Sequence, residues 1–138
     1  MLILGEPGSG KSDLALRLID EPGHGISGGP LSSELVSDDQ VVITRKENRL
    51  VASAPAALRG KLEIRGLDIV KLETQPSVSL SLVVKLHSQL VIERLPDPRT
   101  IEILGLALPL VEIDGIAASA PARLRAALNW LNQPNRGP

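Results

Sequence analysis

The chain has 138 residues, enough for one domain, and its 15 Lys and Arg residues nearly balance its 16 Asp and Glu residues. The net charge of −1 gives no positive field for binding nucleic acid or an anionic membrane. Cysteine is absent, which excludes disulfides and thiolate metal sites, and Trp130 is the only aromatic residue, which nearly excludes stacking on bases. No apolar run reaches the roughly 20 residues of a membrane span. The N-terminus lacks the pattern of a signal peptide, so we expect a soluble cytoplasmic protein.

The first part of the chain predicts a strand followed by a helix. Leu2–Leu4 is a short apolar run typical of a buried strand, and Lys11–Asp20 spaces its apolar residues for an amphipathic helix. Residues 21–33 have the Gly, Pro and Ser content of a long, mobile loop. The segments predicted next are strands at 35–36, 40–44 and 49–53, and a loop or one short helix at 55–62.

The second part of the chain predicts more strands and a final helix. Residues 78–86 alternate apolar and polar side chains, which indicates one continuous strand. Ser119 is a candidate cap of the last helix, with Pro121 in its first turn and an apolar stripe behind. The other segments are a strand at 90–94, a helix or strand at 99–104, an extended run at 106–113, and a disordered tail at 134–138. The pattern predicts one α/β domain over residues 1–133.

A phosphate-binding loop lies between the first strand and the first helix. The motif G-x-x-x-x-G-K-[ST] is matched at every fixed position by Gly5, Glu6, Pro7, Gly8, Ser9, Gly10, Lys11 and Ser12. Glycines let backbone N–H groups surround a phosphate, and the helix N-terminus adds a favourable dipole. Lys11 would place a charge on the β- and γ-phosphates, and Ser12 would offer a hydroxyl to Mg²⁺.

Acidic residues further along the chain are candidates for the second half of such a site. Asp38 and Asp39 are adjacent, so in an extended segment they would face opposite ways and have different tasks. One would hold metal or water near the phosphates and the other would accept a hydroxyl proton; the alternative is an acidic turn before a strand. Glu63 is a candidate metal ligand, and Arg65 a candidate for holding a phosphate or acidic ligand, although a plain surface pair fits both.

Three motifs together resemble one family. The order and approximate spacing of EPGSGKS, LVSDD and LEIRGLDIV resemble the catalytic domain of bacterial HPr kinase/phosphorylase, and the third motif looks like that family's signature. The short length resembles the alphaproteobacterial form. The resemblance implies a P-loop-containing fold with a mixed β-sheet, PEP carboxykinase-like, which uses ATP and Mg²⁺ to phosphorylate a serine of the phosphocarrier protein HPr. It also implies phosphorolysis of that phosphoserine, a role in regulating carbon metabolism, and a homo-oligomer, since the long family form is hexameric.

The resemblance also implies roles for individual residues. Gly5 to Ser12 would bind the triphosphate, Ser12 and Glu63 would bind Mg²⁺, and Lys11 would stabilise the transferring charge. Asp39 would be the base for phosphorylation and the acid for the reverse reaction, with Asp38 assisting beside it. Arg94, in Ile92-Glu93-Arg94, matches the arginine that the family uses after its long strand.

The sequence departs from the family's pattern at two places. No residue matches the family's histidine before the phosphate loop, since His24 and His87 lie elsewhere. The family's Arg-rich loop for dephosphorylation would fall near 109–114, where this sequence has no arginine. Two alternatives therefore stand beside the protein kinase: a small-molecule P-loop kinase, and a nucleotide-binding regulatory module without catalysis.

Overall fold

A computed structural model describes residues 1–88 and 91–133. Two α-helices, nine β-strands and a short 3₁₀ turn form within those ranges. In chain order they are β1 (Leu2–Leu4), α1 (Lys11–Asp20), β2 (Val42–Lys46), β3 (Arg49–Ser53), the 3₁₀ turn (Ala56–Leu58), β4 (Lys61–Ile64), β5 (Asp68–Lys71), β6 (Ser77–Ser79), β7 (Val83–Leu86), β8 (Arg99–Ile103), β9 (Leu106–Ile113) and α2 (Ala120–Leu131). Neither helix is long and apolar enough to cross a bilayer.

The central sheet has the order β1-β7-β9-β8. β1, β7 and β9 are parallel, with Leu2 opposite Val83 and Val84 opposite Val111, whereas β8 is antiparallel to β9. The predicted α/β class with a mixed sheet is therefore confirmed. Because parallel strands end at the same edge, the segments that follow β1, β7 and β9 meet there.

Two apolar clusters lie on opposite faces of the central sheet. Leu14 of α1 and Leu124 of α2 pack with Val84 on one face. On the other face, Val83 packs with Leu50 of the separate antiparallel sheet β2-β3-β6. β7 is therefore buried on both sides, which suits the continuous apolar run typical of a parallel strand. Each fully buried Leu or Val side chain contributes about 1.5–3 kcal/mol to the free energy of folding. The two clusters therefore stabilise the sheet whose edge carries the phosphate loop.

β4 and β5 form a two-stranded hairpin of their own. Glu63 pairs with Ile69 and Lys61 with Lys71, and the turn between the strands contains Gly66 at φ +87°, as its glycine predicts. Leu62 is buried, and β4 contacts α1, the helix that follows the phosphate loop. This contact brings the hairpin beside that loop.

The prediction of one strand over 78–86 is wrong, because the segment divides between two sheets. β6 pairs with β3, and β7 pairs with β1, with a break between them. Leu80 belongs to the cluster under the antiparallel sheet, and Leu82 to the cluster under the helices. The alternation of apolar and polar residues continues across the break because Leu80 and Leu82 are both buried, although in different clusters.

Other boundaries also differ from the predictions. The strand at 35–36 reduces to one bridge between Leu35 and Thr74, and residues 91–94 are irregular rather than a strand. Residues 109–113, the expected place of an Arg-rich loop, lie inside β9. Ser119 precedes α2 but makes no cap bond with its side chain, which accepts a hydrogen bond from Arg123 Nε at 2.8 Å instead. Residues 134–138 and Leu90 lie outside the described residues.

Candidate active site at the phosphate loop

The phosphate loop has the strand–turn–helix context that the sequence predicts. Gly8 and Gly10 have φ of +82° and +92°, a left-handed conformation that residues with a side chain rarely adopt. The Lys11 ammonium donates to the Gly5 carbonyl oxygen at 2.5 Å, so the lysine folds back over the loop. Within the described residues, the buried Ser9 hydroxyl has no hydrogen-bond partner, so the loop holds one unsatisfied polar group.

Asp38 joins the phosphate loop to the hairpin. One carboxylate oxygen accepts a hydrogen bond from Ser12 Oγ at 2.8 Å, and the other accepts one from the Glu63 backbone N–H at 3.1 Å. Both are hydrogen bonds to a charged acceptor, which are stronger than neutral ones. The carboxylate therefore fixes the position of the loop hydroxyl that the motif assigns to Mg²⁺.

Asp38 and Asp39 lie in a turn before β2 and not in an extended segment, which is the alternative that the sequence left open. In this turn Asp39 has φ +66°. Asp is among the few residues that tolerate this conformation. Asp39 is exposed, and together with Asp38 and Lys11 it lines a cavity of about 450 Å³ beside β1. A hydroxyl arriving from solvent can therefore reach Asp39.

The hairpin places its two candidate residues differently. Glu63 lies on β4 with an exposed side chain, and its backbone, not its carboxylate, makes the contact with Asp38. Arg65 lies in the exposed turn between β4 and β5. The structure thus brings Lys11, Ser12 and Asp38 together, whereas Arg65 lies in the hairpin turn and does not line the cavity of Lys11 and Asp38.

Arg94 lies in a second cavity of about 290 Å³, with Glu112, Asp114 and Arg123 in its wall, and does not line the cavity of Asp38. The two regions are joined by the turn after β9. A Cβ built on Gly115 in that turn would lie 3.3 Å from the Ser9 carbonyl oxygen, so the turn abuts the phosphate loop.

Two arginines that the sequence did not single out hold this arrangement. Arg17 of α1 donates to the Ala117 carbonyl at 3.1 Å and also to the Gly115 carbonyl, which ties the turn to the loop's own helix. Arg125 of α2 is only 6% exposed and donates to the carbonyls of Leu18, at 3.1 Å, and Glu21 at the end of α1. Helix-end carbonyls need such donors, but nothing in a sequence pattern marks which arginine supplies them.

The oxygen donors at the loop suit Mg²⁺. No group of three or more His, Asp or Glu side chains in the described ranges could hold a metal alone. Mg²⁺ rarely uses such a cage; it is usually held by one or two carboxylates together with substrate phosphates. The Ser12 hydroxyl and the Asp38 carboxylate supply donors of this kind at the loop.

Comparisons with known proteins point to one family. The sequence matches the family described as HPr Serine kinase C-terminal domain over residues 1–124. It is 36% identical over 82% of its length to HPr kinase/phosphorylase from Chloroherpeton thalassium, and 36% identical over 82% to the protein of that name from Cupriavidus necator. It covers 34% and 35% of those two proteins, so the chain spans about a third of the length of these relatives.

A solved structure has the same fold. The HPr(Ser) kinase/phosphatase from Coxiella burnetii superimposes with a TM-score of 0.73 and 25% sequence identity, over 92% of this chain and 84% of that one. Together with the family match over residues 1–124, this shows that the chain belongs to the HPr serine kinase C-terminal domain family.

Proposed function

We propose that this chain transfers the γ-phosphoryl group of ATP to a serine hydroxyl of the phosphocarrier protein HPr, in the cytoplasm and with Mg²⁺. The names of the relatives support the reaction class. The observation that carries the proposal is the Asp38 carboxylate, which joins Ser12 of the phosphate loop to Glu63 of the hairpin. A bare nucleotide-binding loop needs no such link to a second acidic segment.

The triphosphate is held by the backbone N–H groups of residues 5–12 and by the Lys11 ammonium. Lys11 already lies over the loop, on the Gly5 carbonyl oxygen, so a bound phosphate oxygen takes over a donor that is in place. Ser12 and Glu63 are the proposed ligands of Mg²⁺, with Asp38 orienting the Ser12 hydroxyl. Mg²⁺, when bound, supplies positive charge that offsets the charge on the transferring group.

Asp39 is the proposed general base. Its carboxylate accepts the proton of the serine hydroxyl as the serine oxygen forms its bond to the γ-phosphorus and the bond to the β-phosphate oxygen breaks. Its exposed position in a turn allows a protein substrate to bring that hydroxyl to it. Arg94, beyond the turn after β9, would neutralise charge on the phosphoryl group, and Arg65 would contact the substrate.

The reverse reaction uses the same groups. Inorganic phosphate would attack the phosphorus of phosphoserine and form pyrophosphate, while the bond from that phosphorus to the serine oxygen breaks and protonated Asp39 returns the proton to the serine oxygen. The relatives' names include phosphorylase.

The test is to incubate the protein with ATP, Mg²⁺ and HPr and to detect phosphoserine by mass spectrometry. Asp39→Asn should lower the transfer rate by at least about a hundredfold, the usual contribution of a general base, without weakening ATP binding. Asparagine tolerates positive φ, so the turn is kept. Asp20→Asn, at the exposed end of α1, is the matched control and should be unaffected. Bound ATP without phosphoserine would overturn the kinase and favour a regulatory module.

A further inference from the structure

One face of the hairpin exposes large apolar side chains. Leu67, at the turn, is 70% exposed, and Ile69, on β5, is 61% exposed. Three cations border them, together with the exposed carboxylate of Glu63. We call Lys61, Arg65, Leu67, Ile69 and Lys71 the hairpin surface.

Strand pairing explains why these side chains share a face. Lys61 lies opposite Lys71, and Glu63 opposite Ile69, so both pairs point to the same side of the hairpin. Leu62, between them on β4, points to the other side and is buried. The hairpin thus buries Leu62 against the rest of the domain and leaves Ile69 exposed to solvent. This exposure is notable because a two-stranded hairpin is only marginally stable by itself.

The hairpin surface is continuous with the proposed active site. Glu63 shares its face with Ile69, and the Glu63 backbone N–H donates to Asp38. Directly opposite residues on one face have Cβ atoms about 4.5–5.5 Å apart. A folded protein that brings a serine to Asp38 and Asp39 therefore covers Ile69 as well.

The charges indicate what kind of protein surface fits. In the part of the chain that the structure describes, the basic residues within ion-pair distance of a carboxylate are Arg17, His87 and Arg99, so the three cations of the hairpin surface have no carboxylate partner. An apolar patch bordered by Asp or Glu would bury Leu67 and Ile69 and pair with these cations.

We infer that the hairpin surface is the docking site for the serine-bearing protein substrate, which meets it with an apolar patch bordered by carboxylates. The inference rests on the proposed function, since the substrate is taken to be HPr. It adds a recognition surface outside the phosphate loop, so protein binding and nucleotide binding are separable.

The test measures binding of HPr by titration calorimetry, without nucleotide, so that it does not depend on catalysis. The double variant Leu67→Ser with Ile69→Thr should weaken binding at least about tenfold, as expected for truncated apolar anchors. Leu104→Ser is the matched control: Leu104 is 56% exposed, in the β8–β9 turn at the opposite edge of the central sheet, and should leave binding unchanged. As a second arm, Lys71→Glu should weaken binding, and more strongly at low salt.

The outcomes separate this inference from the proposed function. Weaker HPr binding by the double variant, with unchanged binding by Leu104→Ser, supports the docking site. If the wild-type protein binds HPr in this way but transfers no phosphate, the kinase is refuted and the docking site is not. Equal binding by wild type and double variant, or no binding by the wild type, overturns the docking site. So does a change in the oligomeric mass by light scattering without a change in HPr affinity, because a second copy would then cover the surface.

Discussion

Replacing Asp38 with asparagine tests the link between the phosphate loop and the hairpin. The change removes one negative charge and keeps the size of the side chain. The carboxylate accepts two hydrogen bonds, at 2.8 Å and 3.1 Å. Asparagine keeps one acceptor oxygen for the Glu63 N–H, and its NH2 group must donate to Ser12 Oγ instead of accepting from it, so both bonds become neutral. A hydrogen bond to a charged group contributes about 1.5–3 kcal/mol and a neutral one about 0.5–1.5, so the change should cost about 2–3 kcal/mol if the bonds are fully buried. Because Asp38 is half-buried, we expect a loss of about 1–2 kcal/mol in unfolding free energy.

Nucleotide binding should respond to the same change in opposite ways with and without Mg²⁺. Loss of a group that orients a metal ligand typically costs about 10–100-fold in metal affinity, so Asp38→Asn should weaken binding of ATP in Mg²⁺ by about that factor. In EDTA the variant should bind ATP as well as or better than wild type, because a carboxylate near the triphosphate repels it. Calorimetric titrations in both buffers give the comparison.

Glu34→Gln is the control for this experiment. Glu34 lines the same cavity as Asp38, and its carboxylate accepts a hydrogen bond from Gln75 rather than from the loop. Glu34→Gln should therefore leave the affinity for ATP unchanged, both in Mg²⁺ and in EDTA. If Asp38→Asn weakens ATP binding equally in Mg²⁺ and in EDTA, the carboxylate acts on the shape of the loop and not on the metal, and the reasoning is refuted.

Two further predictions concern the residues that support the loop. Arg125→Met should lower the unfolding free energy by about 2–4 kcal/mol in a denaturant titration, because the end of α1 loses a buried donor; unchanged stability would mean that burying the guanidinium costs as much as its bonds contribute. Gly115→Ala should weaken ATP binding with at most about 1–3 kcal/mol of destabilisation, because its Cβ would lie 2.9 Å from Leu86 and 3.3 Å from the Ser9 carbonyl. Wild-type ATP affinity in this variant would show that the turn does not support the loop.

The sequence predicts the phosphate loop well because its determinants are local. The glycines at positions 8 and 10 take the positive φ that the motif requires, and β1 and α1 begin and end as their apolar spacing predicts. The contact between Ser12 and Asp38 is different, since it joins residues that are distant in the chain. Both residues were candidates on chemical grounds, but only the tertiary fold brings them within hydrogen-bond distance.

The errors have physical causes of the same kind. The break between β6 and β7 is invisible in the pattern because Leu80 and Leu82 are both buried, and alternation does not distinguish one apolar cluster from another. Arg125 resembles any helix-surface arginine until α1 ends against it. For Asp38 and Asp39 the sequence left both an extended segment and a turn open, and the positive φ of Asp39 has no sequence signal beyond the tolerance of Asp for such turns.

The separateness of the β4–β5 hairpin has a consequence for how this protein can change over evolution. Among the described residues, the hairpin shares no strand pairing with the central sheet, and it meets the phosphate loop through Asp38 and the contact of β4 with α1. Substitutions on its outward face therefore leave β7 and the two apolar clusters unaltered. Amide hydrogens of the hairpin should exchange through local opening, whereas those of β7 should require unfolding of the whole domain. If the hairpin surface docks the substrate as proposed, partner choice resides in a part less stable than the central sheet, and it can drift or be redesigned while β7 and the phosphate loop stay fixed.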